Sequence, residues 1–500
     1  LIMMAIEPRE HTLSALLKGI CVLPSVLDCR VFGIALDSRK VKKGDLFIAL
    51  KGFSSSARAY IPQAVANGAV AVLVESDQGV LSICEDGDSV ELFVPNLKTY
   101  VGEIASRFFG SPSKLMKVVG VTGTNGKTSV SQYLAHVLSD LGDKTGVIGT
   151  LGYGLLDDLE VATHTTPDVV KVQQILANLK GQGASCAAME VSSHGLDQGR
   201  VDDVSFAGAV FTNLSRDHLD YHESMEAYGN AKKALFQKPG LSFAVINFDD
   251  KFGRELVGAI SENTKVISYG ISEPADIVVD RIQYTQKGID AELSGPWGTT
   301  SLSCQLLGAF NLSNVMAVIG VAFAMGYDIK EICQAVAELS PVTGRMQSYS
   351  AEGKPGVIVD YAHTPDALKN ALEAVKQHCS GKVWCVFGCG GDRDAGKRSM
   401  MAAIAEEYAD VVVVTDDNPR GENPENIVAD IMVGFSEGCN ARVIHDRRVA
   451  IETCIASATD SDMILVAGKG HENYQEVAGQ RLDFSDIDVV ESYMNVGASK

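Results

Sequence analysis

Residues 117–128 constrain this chain more than any other stretch. A short apolar run through Val118, Val119 and Val121 reads as a buried strand, and a glycine-rich turn follows it. Beyond the turn, Val130, Tyr133, Leu134, Val137, Leu138 and Leu141 recur at helical spacing, and Gly142 can stop the helix. Strand, turn and helix bring backbone N–H groups and the positive end of a helix to one point, which makes a cradle for phosphate. Gly123, Thr124, Asn125 and Gly126 supply the cradle, Lys127 a point charge and Thr128 a hydroxyl for magnesium. The strict spacing asks for glycine at 121, where valine stands, with glycines at 120 and 123 instead. An ordinary glycine-rich turn is the alternative, but Gly126-Lys127-Thr128 in this setting predicts a nucleoside triphosphate.

At 500 residues the chain exceeds what one core accommodates, and about three domains are expected. A net charge of −20 argues against a nucleic-acid partner, because phosphates would be repelled over most of the surface. No apolar run reaches the length of a membrane span, and the start at Leu1–Ile6 runs at once into Glu7, Arg9 and Glu10, unlike a secretory signal. The 11 cysteines are scattered and odd in number, as expected of reduced thiols in the cytoplasm. Cys385 and Cys389, the closest pair, lack the second pair or spaced histidines that zinc would need.

Three regions are expected: 1–112, 113–343 and 344–500. In the first, Val31 to Leu36, Leu46 to Leu50 and Val70 to Val74 read as strands and Ile61 to Ala66 as part of a helix. Gly110-Ser111-Pro112-Ser113 reads as a linker. The third region alternates most clearly. Strands are predicted near 357–359, 383–387, 411–414, 442–444 and 463–466, with helices over 365–378, 398–408, 426–435 and 448–456 between them. Thr364-Pro365-Asp366 supplies an N-cap, a first-turn proline and an acid at the positive helix end. Alternation of this kind predicts an α/β fold with a parallel sheet covered on both faces.

Several polar groups end apolar runs. Glu190, closing Cys186–Met189, suits magnesium at a strand's C-terminal end, or is a solvated loop glutamate. Asp217-His218-Leu219-Asp220-Tyr221-His222 packs two histidines and two aspartates together, as a metal site or as a loop of satisfied polar groups. Ala231-Lys232-Lys233 in a helix reads by itself as a solvated charge pair. Gly388 to Asp394, Asp416 to Arg420 and Gly468 to Glu472 each follow a strand, where an open α/β sheet places its ligand. Their mix of arginines and acids suits a ligand of both charge signs.

Taken together, Gly123–Thr128, Glu190–Gly195, Asp217–His222 and Asp360-Tyr361-Ala362-His363-Thr364-Pro365 resemble the signatures of the Mur ligase family, from about Leu36 to the end. The resemblance is strongest to members that add the third residue of the peptidoglycan stem peptide. It implies an N-terminal α/β domain for a UDP-sugar, a central P-loop ATPase domain with a parallel-rich sheet and a Rossmann-like C-terminal domain for the amino acid. It implies ATP and Mg2+, with UDP-N-acetylmuramoyl-L-alanyl-D-glutamate and meso-diaminopimelate as substrates, in a cytoplasmic monomer of cell-wall synthesis. Leu36 and Ser38 match uridine contacts, while Phe53-Ser54-Ser55 stands where relatives often carry His-Gln-Ala. Thr165, Thr166, Ser192, Gln198 and Arg200 match contacts to the muramoyl peptide. Lys127 and Thr128 match phosphate and first-magnesium contacts with Glu190, and His218 and a carbamylated Lys232 match a second magnesium site. Asn311 and Arg345 match ATP contacts, and Asp360 an acid that reaches the nucleotide. Arg393, Asp417, Asn418, Pro419, Arg420, Gly468 and Glu472 match the diaminopimelate pocket.

The implied reaction makes an acyl phosphate from the D-glutamyl side-chain carboxylate, which an amine then attacks. Two anions meet in the first step, so Lys127, Arg345 and magnesium are expected to screen their repulsion. A folate polyglutamate ligase is the nearest rival, opposed by the UDP-sugar motif and Asp417-Asn418-Pro419-Arg420. A GTP-dependent switch would want an Asn-Lys-x-Asp motif, which the sequence lacks.

Overall fold

The computed structural model describes residues 11–51, 57–76, 82–86, 89–285 and 288–494. The loop at Phe53-Ser54-Ser55 lies outside them. The chain packs into two compact units. The first holds the described residues up to Val121 with Gly142–Ala209 and Ala234–Ser242. The second holds Thr122–Leu141, Val210–Lys233 and the described residues from Phe243 onward.

In the first unit, strands Gly33–Ala35, Asp45–Ala49, Ala71–Ser76 and Ser89–Pro95 run parallel in that order, and Ser82–Asp86 adds an antiparallel edge. The strand expected over 31–36 is broken. Arg30–Val31 pairs with His11–Thr12, Phe32 turns outward at 46 % exposure, and only Gly33–Ala35 joins the sheet. The expected linker is a packed corner: Ser111 is left-handed at φ 52°, Pro112–Lys114 forms a short 3-10 turn, and buried Ser113 accepts from Ser205 N at 3.0 Å. Further along the unit, strand Cys186–Glu190 lies parallel between Thr145–Gly149 and Lys117–Thr122, with Glu190 opposite Val121.

The second unit opens with helix Lys127–Asp140, whose Val130, Tyr133, Leu134, Val137 and Leu138 are buried, as their spacing predicts. Phe243–Asn247, Lys265–Gly270 and Ile277–Thr285 are parallel, and antiparallel Gly288–Gly295 and Gly298–Cys304 extend them. A six-stranded sheet follows in the order Gln347–Tyr349, Gly356–Asp360, Met463–Ala467, Val383–Phe387, Val411–Val414, Arg442–Val443, parallel except for its first strand.

Alternate residues of this sheet feed two cores, as the period of a strand requires. Ile358, Cys385, Phe387, Val414 and Leu465 pack with Leu368, Leu372, Met401 and Ile427. Val357, Val359, Val386 and Val466 pack with Ile451, Ile455, Val489 and Val490. The helices between are Pro365–His378, Gly396–Tyr408, Pro424–Met432 and Arg447–Ser457. Both faces are covered, so the α/β reading holds, with helix starts displaced by up to two residues where Gly396 and Pro424 open a turn early. Cys385 and Cys389 belong to the first of these cores, where burial pushes the Cys389 thiol up to about 12. Among the described residues no helix is long and apolar enough to cross a membrane.

Candidate active site

The phosphate loop begins where strand Lys117–Thr122 ends. Gly126 caps the following helix at φ 84°, and a Cβ there would stand 2.5 Å from Asn314 Oδ1. A Cβ on Gly123 would collide with Thr212 Oγ1. Both positions therefore need glycine, for backbone conformation and for space. Lys127 curls over the loop, its Nζ donating to the carbonyls of Gly123 and Thr124 at 2.8 Å each. Thr124 Oγ1 lies 3.1 Å from Tyr228 Oη, and Asn125 N donates to Asn213 Oδ1 at 2.8 Å.

Lys232 is not the solvated lysine that its neighbours suggest. Only 1 % of it is exposed, and its Nζ donates to the Gly123 carbonyl at 2.8 Å while lying 4.2 Å over the Tyr228 ring. Burial, and then the charge of Lys127, push its amine well below the ordinary lysine value, against the pull of Asp217. His218 sits left-handed at φ 55°, with Nε2 3.4 Å from Asp217 Oδ2. Burial raises Asp217, but His218, His363 and Lys397 outweigh it and hold that carboxyl below its usual range. His222 stacks on Tyr228 with ring centroids 5.2 Å apart. The histidine–aspartate cluster thus divides, with His218 beside Asp217 and His222 built into the packing.

A cleft of about 490 Å³ opens beside the phosphate loop, lined by Asn125, Gly126, Asn314, Arg345, Asp360 and His363 among others. Arg345 Nη2 donates to Thr128 Oγ1 at 3.3 Å, its guanidinium lies 4.5 Å from the Tyr361 ring centroid, and its Nε is buried without a partner. A guanidinium in contact with a phosphate loop, with one of its N–H groups unsatisfied, suits an anion. Asp360 accepts from Met346 N at 2.7 Å, so it also braces the turn that carries Arg345; burial raises its carboxyl, opposed first by Arg345. Asn311, 1 % exposed, donates to Leu307 O at 2.9 Å and accepts from Asn314 at 3.3 Å. Asn314 went unread in the sequence, although its place one turn beyond Asn311 on a single helix was a usable signal. A larger cavity of about 1190 Å³, lined by Thr285, Tyr349 and Asp462, contains none of the expected residues.

The first unit carries its own share. Glu190 is fully buried and not a solvated loop glutamate. Its Oε1 accepts from Thr150 N at 2.8 Å and its Oε2 from Thr150 Oγ1 at 3.1 Å, while that hydroxyl also lies 3.0 Å from Thr165 Oγ1. Thr166 Oγ1 donates to the Glu190 carbonyl at 3.0 Å and accepts from Ser192 N at 3.0 Å. Arg200 Nη1 donates to Thr166 O at 2.8 Å and its Nη2 to Gln198 Oε1 at 2.6 Å. Thr165, Thr166, Ser192, Gln198 and Arg200 therefore form one connected group around Glu190. Elsewhere in this unit Leu36 and Ser38 line a cavity of about 480 Å³, where Ser38 Oγ donates to Gln63 Oε1 at 2.7 Å.

At the C-terminal ends of the six-stranded sheet the three polar loops converge. Asn418 Nδ2 donates to Glu472 Oε2 at 2.8 Å, and buried Lys469 bridges Asn418, Glu472 and Asp417. Arg420 is left-handed at φ 53°. Its backbone is held by Glu476 O and Ala478 N, and its Nη1 donates to Gly391 O at 2.9 Å. Pro419 is buried, and Gly468, at φ 120°, lets its loop approach Asp417. Arg393 stands apart, exposed on the first loop. The sequence reading named Gly468 and Glu472 but passed over Lys469 between them.

Among the described residues no group of three or more His, Cys, Asp or Glu side chains gathers as a ready metal site. Magnesium, which keeps water and phosphate oxygens as most of its ligands, does not require one.

Comparison with known proteins places this geometry in a lineage. A model of the Mur ligase family, catalytic domain, matches residues 30–109; the Mur ligase middle domain matches 121–322; the Mur ligase, glutamate ligase domain matches 344–470. A UDP-N-acetylmuramoyl-L-alanyl-D-glutamate–2,6-diaminopimelate ligase of Ectopseudomonas mendocina is 51 % identical, over 91 % of this chain and 93 % of the relative. Its counterpart in Pseudomonas aeruginosa is 49 % identical, over 93 % and 95 %. A solved structure of an enzyme of the same name, 39 % identical, superposes with a TM-score of 0.68 over 93 % of this chain and 95 % of the other. Three domain models matched in succession, and half the aligned positions shared with such a relative, leave one conclusion: the chain belongs to the Mur ligase family.

Proposed function

We propose that this chain is an ADP-forming ligase that joins meso-diaminopimelate to the D-glutamyl γ-carboxyl of UDP-N-acetylmuramoyl-L-alanyl-D-glutamate, in cytoplasmic synthesis of the peptidoglycan precursor. The observation that carries the reading is Arg345, whose Nη2 donates to Thr128 of the phosphate loop within one unit while its Nε is buried without a partner. Relatives 51 % and 49 % identical, whose names carry UDP-N-acetylmuramoyl-L-alanyl-D-glutamate and 2,6-diaminopimelate, support these substrates. The domain limits of 1–112 for the UDP-sugar, 113–343 for ATP and 344–500 for the amino acid belong to the proposal, as does a monomeric state.

A carboxylate acylates poorly because its leaving group would be oxide or hydroxide. Transfer of the γ-phosphoryl of ATP to that carboxylate gives ADP and an acyl phosphate. The neutral amine adds to its carbonyl carbon, the C–O bond to phosphate breaks, and the amine proton leaves with solvent. Lys127 and Arg345 screen the approach of the first two anions, and a closed cleft keeps water from the acyl phosphate. Gly123, Thr124, Asn125 and Gly126 orient the phosphates, with Asn311 and Asp360 framing the nucleotide.

Thr128, Glu190, His218 and Lys232, the residues assigned to magnesium, carry donor atoms of the kind it takes, provided Lys232 becomes an anion. Burial favours that change, because a neutral amine can add to carbon dioxide, forming an N–C bond and releasing a proton to leave a carbamate. Magnesium held by these residues supplies neutralisation of the phosphate charge. Leu36 and Ser38 receive the uridine end, and Thr165, Thr166, Ser192, Gln198 and Arg200 the muramoyl peptide. Arg393, Asp417, Asn418, Pro419, Arg420, Gly468 and Glu472 receive the amino acid.

L-Lysine lacks the distal carboxylate of meso-diaminopimelate and would leave Arg420 with only the more distant Glu476, at 3.8 Å, as an anionic neighbour. Such a loss amounts to about 2–5 kcal/mol, discrimination on the order of thirtyfold to several thousandfold. Phosphate release from ATP, measured across UDP-muramoyl peptides and amino acids, tests the reading. Turnover is expected with the L-alanyl-D-glutamyl substrate and meso-diaminopimelate together. Comparable efficiency with L-lysine would overturn the amino acid, and turnover with a folate would overturn the substrate class.

A further inference from the structure

Lys469 lies at 0 % exposure among the three C-terminal loops, and a buried ammonium is tolerated only where it is paired. Its Nζ donates to Asn418 Oδ1 at 3.0 Å and to Glu472 Oε2 at 2.9 Å, and lies 3.9 Å from Asp417 Oδ1. Asn418 Nδ2 donates to the same Glu472 oxygen at 2.8 Å. Two donors thus occupy Oε2, while no described donor reaches Oε1. The Asn418 amide is fixed in turn, because its Oδ1 also accepts from Glu476 N at 2.9 Å. Behind the loop, Arg447 and Asp486 form a fully buried bidentate pair at 2.8 and 2.7 Å. Around this corner Asp417, Glu472, Glu476 and Asp486 are balanced by Lys469, Arg420, Arg447 and Arg481, with Arg420 3.8 Å from Glu476 and Arg481 over the Tyr474 ring that Lys469 also overlies.

We propose that Lys469 is the positioning residue that sets amino-acid specificity: it ties down one oxygen of Glu472, leaving the other as a single oriented acceptor for the distal ammonium. The inference rests on the diaminopimelate reading above. Meso- and LL-diaminopimelate differ only in which way the distal ammonium and carboxylate point from their carbon. An acceptor fixed at Glu472 and a guanidinium fixed at Arg420 distinguish the two; a Glu472 free to swing would meet either. Lys469 touches no reacting atom and acts through Glu472 and the Asn418 amide that shares its oxygen.

The test compares the full-length enzyme with Lys469→Met, which removes charge and donor, and Lys469→Gln, which removes the charge and keeps a donor. Phosphate release is measured with each diaminopimelate isomer, and thermal transitions are recorded alongside. Lys469→Met should raise the KM for meso-diaminopimelate by about tenfold to a hundredfold and narrow the meso-to-LL preference about tenfold, with the KM for ATP and UDP-substrate within about twofold. Lys469→Gln should fall between. Combined with Glu472→Gln, the effect of Lys469→Met should be far less than additive, as for two residues acting as one. If neither isomer is turned over by the unmutated enzyme, the ligase reading falls and this assignment with it. If the unmutated enzyme is active but both variants keep its KM and isomer preference, this assignment alone is overturned. Loss of the folded transition in both variants would make Lys469 a support of the fold and overturn it equally.

Discussion

Lys127 and Lys232 both donate to the carbonyl of Gly123, yet only Lys232 is sealed from solvent. Two ammonium groups at one acceptor repel each other, so the buried one gives up its proton first. Lys232→Ala should therefore abolish turnover through loss of one anionic metal ligand, and should also lower the thermal transition because a buried side chain is removed. Acetate or formate should restore part of the activity, and normal turnover of the variant would refute the carbamate. A second residue-scale prediction concerns acid. Burial, aided by the charges of Lys397 and Arg345 respectively, pushes His363 and His471 down to about 4 from 6.5. Between those values the unfolded chain binds protons that the folded chain refuses. Stability is thus complete above about pH 6.5 and is lost as pH falls toward 4, by at most about 3 kcal/mol per histidine. Urea midpoints at pH 7.5 and 5 should show the loss, and His471→Gln should shrink it. Neither property was legible in the sequence. Ala231-Lys232-Lys233 does not reveal which lysine a helix turns inward, and Lys469 was hidden between two residues that already had roles.

Helix Pro365–His378 was legible to the residue because its start is written in chemistry that acts locally. Thr364 Oγ1 accepts from Ala367 N at 3.3 Å, Pro365 needs no partner for a missing N–H, and Asp366 sits at the positive end. That start also serves the nucleotide cleft, for Asp366 Oδ2 accepts from Asn125 Nδ2 at 3.0 Å. Thr364→Ala should cost about 1 kcal/mol of stability. It should also raise the KM for ATP, whereas Asp366→Ala, which removes the acceptor for Asn125, should affect ATP with a smaller shift of the thermal transition; equal effects from both would deny the helix start a role in placing the loop. The alternating third region was equally open to reading, since buried parallel strands show as apolar runs. The N-terminal strand was not. Val31 to Leu36 looks continuous in hydropathy, but Phe32 faces outward and the pairing partner changes there. The antiparallel extension through Gly288–Gly295 and Gly298–Cys304 also escaped notice, because Ser, Thr and Gly leave strand Gly298–Cys304 little apolar contrast.

At the scale of the molecule, the groups assigned to ATP come from distant parts of the chain: 123–128, 311, 345 and 360. Their convergence was foreseeable only through the family resemblance, because spacing along a chain carries no angle between domains. The reacting carboxyl and the incoming amine are assigned to different domains, so the full set of ligands should draw the enzyme together. X-ray scattering from the free and fully liganded enzyme should register a smaller radius of gyration, and an unchanged value would count against closure. The bonds from Arg345 to Thr128 and from Asn125 to Asp366 give this motion a temporal signature. Both engage the loop that the phosphates must enter, so an arriving nucleotide meets a latch that has to spring before it can settle. In stopped-flow experiments the observed association rate should then stop rising at high nucleotide concentration, levelling at the frequency with which the latch opens by itself. Removing either bond, as in Asp366→Ala, should lift that ceiling.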